Sequence, residues 1–113
     1  QLEGLVATHC YGNVKFKDPV SEAQRVANFL RTNEHCDVII CLSHLGCRTD
    51  SHYSDIELIE NTNNIDVVIG GHSHTYFTEP KFIKNLDGEE VPMQQMGKNG
   101  AFVGKIILKL TKN

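Results

Sequence analysis

A chain of 113 residues with 40% hydrophobic and 22% charged residues has room for one modest core and the balance of an ordinary globular domain. Its 11 Lys and Arg are scattered and outnumbered by 14 Asp and Glu, for a net charge of −3, which argues against an electrostatic nucleic-acid surface. No apolar run approaches the roughly 20 residues needed to span a bilayer.

In chain order, residues 4–8 (GLVAT) read as a short strand, followed by a loop through Gly12 and Asn13. In DPVSEAQRVANFLRTN, Asp18 is a natural N-cap and Pro19 suits the first helical position. Val20, Ala23, Val26, Ala27 and Leu30 then recur at helical spacing, predicting one amphipathic helix with these residues inward. The stretch CDVIICLSHLG carries a continuous apolar strand over residues 38–42, of the kind buried on both faces of a parallel sheet. A shorter helix is predicted over about residues 54–61, with Ile56 and Ile59 inward, and IDVVIGG repeats the buried-strand pattern over residues 65–69. Beyond it, Asp87-Gly88 and Asn99-Gly100 are hairpin signals between β-rich runs, and residues 102–110 read as a closing strand. The fold class is α/β, a parallel βαβαβ unit followed by antiparallel hairpins.

The four cysteines, Cys10, Cys36, Cys41 and Cys47, lack zinc-type C-x2-C spacing, and the chain has enough apolar residues to fold without disulfides. Structural roles are expected for all four, with Cys41 an inert core residue inside its apolar strand.

Functional residues of open α/β sheets gather past the carboxyl ends of the strands. Two predicted strands end on histidine there: the first delivers Ser43-His44, and the second delivers His72 and His74 after a Gly70-Gly71 elbow. Parallel strands place both endings on one edge, so three imidazoles are expected to converge. Imidazole is a common ligand of zinc, manganese, iron and nickel. The glycines let the backbone turn sharply and approach the site closely. An extended segment aims His72 and His74 the same way, whereas a loop can aim them at two neighbouring ions. A histidine after a strand is by itself an ordinary loop residue; the H-x-H pair together with Ser43-His44 at a sister strand end is what points to metal. His9, His35 and His52 lack that context and are expected at the surface.

Read together, CDVIICLSHLG and IDVVIGGHSHT resemble the second half of the metallophosphoesterase domain of the 5′-nucleotidase family, within the calcineurin-like phosphoesterases. The stretch VKFKDPVSEAQRVANFLR resembles the helix ahead of the S-H-L-G strand, and Gln95-Met96-Gly97, Gly100 and Gly104 resemble the closing hairpin. The resemblance implies part of an α/β/β/α sandwich, with His44 and His72 binding one ion of a dinuclear centre and His74 the other. Two divalent ions, zinc or manganese, would then serve hydrolysis of nucleotide or other phosphate esters in a periplasmic, secreted or envelope-bound protein.

The family's Asp-x-His, Gly-Asp and Gly-Asn-His motifs belong upstream of the matched region, and none stands ahead of it here. Residues 1–113 are therefore expected to be a carboxyl-terminal half of such a domain, inactive alone, with catalytic and substrate-binding residues outside it. An amino-terminal half is the expected partner. Without it, an uncovered apolar face and sheet edge would favour self-association. The alternative is a non-catalytic metal-binding or interaction module that kept the fold.

Overall fold

The computed structural model describes residues 6–48 and 53–111. Its elements are α1 (Thr8–Tyr11), α2 (Pro19–Thr32), β1 (Ile40–Leu42), α3 (Asp55–Glu60), β2 (Val67–Ile69), β3 (Lys81–Lys84) and β4 (Glu90–Gln94). They form one four-stranded sheet in the order β1-β2-β4-β3. β1, β2 and β4 run parallel, and β3 pairs antiparallel with β4 at the edge. The fold is thus mixed α/β, as its sequence pattern predicts.

Both longer helices start where their first residues dictate. Asp18 caps α2 by accepting from the Ser21 amide at 2.7 Å, with Pro19 as the first helical residue. Ser54 caps α3 by accepting from Glu57 N at 3.1 Å. The helices cover one face of the sheet. Ala27, Leu58, Ile59, Ile65, Val68, Val91 and Met93 form the buried core, and Val20, Ala23, Cys41 and Ile56 pack against it. Complete burial of a side chain such as Val68 or Met93 contributes about 1.5–3 kcal/mol each.

Three expectations need correction. Of the short first strand, residues 4 and 5 lie outside the described residues, Val6 and Ala7 join no strand, and Thr8 opens α1. Among the described residues the parallel part is therefore built from β1, β2 and β4 rather than from a leading βαβαβ run. Second, β1 is covered on one face only: Cys41 packs on the core, whereas Ile40 and Leu42 are 50% and 79% exposed. Successive strand side chains point to opposite faces, so helices on one side cover only alternate residues. Val26 of α2 is likewise exposed, because Ala27 occupies the centre of the buried stripe.

Third, residues 102–110 form no strand. The Asn99-Gly100 turn does form, with φ of 60° and 65° and Ala101 N donating to the Lys98 carbonyl at 3.3 Å. The segment beyond it has no place beside β4, which is already paired by β2 and β3. It instead borders the open sheet face, where Gly104, Ile106 and Leu108 share a groove of about 310 Å³ with Ile40, Val67 and Ile69. The Asp87-Gly88 hairpin forms as expected, its loop organised by Asn85, whose Oδ1 accepts from the amides of Asp87 and Glu89.

One arginine ties α2 to the segments that lead into β1 and β2. Arg31 donates to the carbonyls of Cys36 and Asp37 at 2.7 and 2.9 Å and to Asp66 Oδ2 at 2.8 Å, and Asp66 Oδ2 also accepts from the Ile39 amide. Arg31→Ala removes a charged donor from several partners at once and is expected to cost about 2 kcal/mol. Arg31→Lys should recover only part of this, because a point charge cannot span the same fork. Chemical denaturation of the three proteins checks the ranking; equal midpoints for Arg31→Ala and wild type would refute it.

Candidate metal centre

The parallel register Ile40↔Val67, Cys41↔Val68 and Leu42↔Ile69 brings β1 and β2 to an end at the same sheet edge. Ser43 N donates to the Ile69 carbonyl at 2.8 Å, and Gly70 N donates to the Gln94 carbonyl at 2.8 Å, so the ladder continues into both loops. His44 and His72 therefore meet, with ring centroids 5.1 Å apart in an edge-on arrangement. Both are exposed, as is His74 two residues further on. Among the described residues, no group of three or more His, Cys, Asp and Glu side chains forms a ready-made metal cage. The structure thus pairs His44 with His72, and His74 follows two residues later on the His72 loop.

That loop is not extended. His72 and His74 both have positive φ, 70° and 56°, with Ser73 between them. Left-handed backbone at a non-glycine residue carries a conformational cost of order 1–3 kcal/mol and clusters at functional sites. Two such residues in an H-x-H pair aim the imidazoles by backbone twist rather than by strand alternation. His9 is exposed in α1, and His35 is exposed in a loop where it too has positive φ, 53°, but neither belongs to an H-x-H pair at a strand end; His52 lies outside the described residues.

Behind the two rings lies a carboxylate that sequence reading missed. Asp55, the first residue of α3, is wholly buried; its Oδ1 accepts from the Ser43 hydroxyl, and its Oδ2 has no hydrogen-bond partner among the described residues. Burial pushes its carboxyl above the usual range, while the Ser43 hydrogen bond and the neighbouring His44 and His72 pull it back. A folded-state pKa above the unfolded one means that this stabilising contribution is full at low pH and is lost as pH rises through the folded value. Asp55 is hard to find from sequence because an acidic residue in a first helical turn ordinarily serves the helix dipole.

Gly70 is required by this carboxylate: a Cβ there would overlap Asp55 Oδ2 and stand 3.3 Å from Gln95 Nε2. At Gly71 a Cβ would come 3.2 Å from His44 Nδ1. The elbow is thus a matter of close approach. The cysteines take no part as a cluster; all four are free, and burial pushes the Cys41 thiol up, as an inert core residue requires.

With this geometry in place, known proteins give it a context. No family model matches the chain. The relatives found over most of its length are nucleotide phosphoesterases of the 5′-nucleotidase and apyrase type. A snake venom 5′-nucleotidase of Gloydius brevicauda is 32% identical over 80% of this chain and 17% of its own length. The trifunctional nucleotide phosphoesterase YfkN of Bacillus subtilis is 30% identical over 83% of this chain and 6% of its own. Among solved structures, the Haemophilus influenzae NAD nucleotidase is similar with a TM-score of 0.64 and 31% identity over 74% of this chain and 18% of that one. The 5′-nucleotidase precursor of Thermus thermophilus follows with a TM-score of 0.63 and 30% identity. The chain spans a fifth or less of the length of each of these proteins.

The elbow separates two kinds of damage. Gly70→Ala is expected to destabilise the fold by about 1–3 kcal/mol, because a buried carboxylate must move to admit the methyl group. Gly71→Ala should cost less and act on the exposed His44 ring instead. Melting curves and the His44 imidazole NMR signals distinguish them; a Gly70→Ala protein as stable as wild type would remove the close approach from the account.

Proposed function

We propose that this chain is part of a dinuclear-metal phosphoesterase of 5′-nucleotidase type, hydrolysing phosphate monoesters of nucleotides. The observation that carries this reading is the meeting of His44 and His72 from two strand ends 28 positions apart, in a chain whose relatives are nucleotide phosphoesterases. His44 and His72 supply neutral imidazole lone pairs to one divalent ion, zinc or manganese, and His74 supplies one to a second. The donor set fits: the rings are exposed, and Ser43 and Asp55 brace the chain from behind. When bound, such an ion pair neutralises phosphate charge and lowers the pKa of a water.

The remaining ligands, the proton donor and the pocket for the base of the nucleotide belong to a complementary part of the domain. The open apolar face of β1 and β2, with Ile40, Leu42 and Ile69 exposed, is where that part packs. Residues 1–113 are in this reading the carboxyl-terminal half of a calcineurin-like domain, inactive and prone to self-association alone. No helix among the described residues is long and apolar enough to cross a membrane. A periplasmic, secreted or envelope location follows from the resemblance and accords with a venom protein among the relatives.

Two outcomes test the reading. The purified 113-residue chain should show no chelator-sensitive hydrolysis of nucleoside monophosphates; robust turnover would mean that it holds a complete site. In the natural full-length protein, His44→Ala and His72→Ala should lower kcat/KM by several orders of magnitude. His74→Ala should be partly rescued by excess metal, and His9→Ala, on an exposed helix, should be neutral. Metal content and rate are measured together; full occupancy and full rate in His72→Ala would return the G-G-H-x-H stretch to the status of a turn.

A further inference from the structure

Gln95, the residue after β4, is 2% exposed, and its amide is used at both ends. Oε1 accepts from the Thr75 amide at 2.6 Å and from the Ser73 hydroxyl at 3.0 Å, while Nε2 donates to the Gly71 carbonyl at 2.9 Å. Residues 71, 73 and 75 alternate with His72 and His74. One buried side chain thus grips the loop before, between and after the two imidazoles, leaving the histidines exposed.

The grip reaches the other histidine-bearing loop as well. Ser73 Oγ accepts from the Cys47 amide at 3.2 Å, three residues beyond His44, and Cys47 Sγ lies 3.0 Å from Thr75 Oγ1. The backbone around Gln95 reinforces it, since Phe77 N donates to the Gln95 carbonyl at 3.0 Å and Gly97 N to the Thr75 carbonyl at 2.8 Å. Such a loop has little reason to hold two histidines at positive φ unless something opposes their relaxation. The Gln95 amide supplies directional bonds at residues 71, 73 and 75, which flank both histidines.

We propose that Gln95 is a positioning residue for metal binding: its buried amide holds the 71–75 loop in the twisted form that sets the directions of His72 and His74. This rests on the metal reading of those histidines. It assigns Gln95 no contact with substrate or metal. Gln95→Leu removes all three side-chain bonds at similar volume. Gln95→Glu keeps the acceptor for Ser73 and Thr75 but turns an oxygen toward the Gly71 carbonyl, so it should fall between the two.

The experiment uses the natural full-length protein and Mn²⁺ alone as probe. It compares wild type, Gln95→Leu, Gln95→Glu and His72→Ala by titration calorimetry and by amide hydrogen exchange at Thr75 in the metal-free state. Loss of a group that orients a ligand typically lowers metal affinity 10–100-fold. Gln95→Leu should show that loss together with at least about tenfold faster exchange at Thr75, and its kcat should recover at saturating Mn²⁺ while His72→Ala does not recover. A folded Gln95→Leu with wild-type Mn²⁺ affinity beside a defective His72→Ala would overturn the positioning role and leave the metal reading standing. Wild type that binds no Mn²⁺ would overturn both. Should Gln95→Leu fail to fold, Gln95→Glu decides, with unchanged affinity and exchange counting against the proposal.

Discussion

The register between β1 and β2 is the constraint from which the rest of this molecule follows. With Cys41 opposite Val68, the alternating side chains place Cys41, Val68 and, across β4, Met93 on the helix-covered face. A slip of one residue would turn these outward and bring Ile40 and Leu42 inward, which the packing of α2 and α3 does not permit. The same register ends both strands together, and only for that reason do the chain segments carrying His44 and His72 arrive at one edge.

Polar groups then convert that edge from a pair of loops into a defined shape. Ser43 and Asp55 brace the first loop from behind, while Gln95, Ser73 and Thr75 hold the second, and Cys47 N–H links the two. Buried polar networks strengthen in a low-dielectric interior when satisfied, and they penalise whatever is left out. Among the described residues the unpartnered buried atom is Asp55 Oδ2, pressed against Gly70. Stability is thus given up at the place where the imidazoles are displayed, a pattern of strain and incomplete satisfaction that clusters at functional sites in proteins generally.

The opposite face of the sheet shows a different economy. Ile40, Leu42 and Ile69 alternate with core residues along short strands and remain largely uncovered, with residues 104–108 bordering the groove between them. A solvated antiparallel face normally carries polar residues at such positions, whereas apolar residues on both faces are the mark of a strand enclosed between layers. The relatives, each at least five times longer than the matched segment, are proteins in which such a second layer has room to exist.

Much was legible in residue patterns alone. Asp18-Pro19 announced α2, Ser54 to Asn61 bounded α3, and Asp87-Gly88 marked the hairpin, because caps and turns depend on local backbone chemistry that neighbours in sequence supply. The apolar runs located β1 and β2, and the histidines at their ends pointed to one edge, since parallel strands share a direction. Tertiary structure alone decided the remainder. It set which face of β1 is covered, because alternation is invisible in a uniformly apolar run. It left residues 102–110 without a ladder, bordering the open sheet face instead of pairing with a strand. It twisted His72 and His74 to positive φ, and it brought Asp55 and Gln95 to the site from 11 and 21 positions away, measured from His44 and His74. Those are long-range contacts, set by the packing of whole elements, and no local sequence rule encodes them.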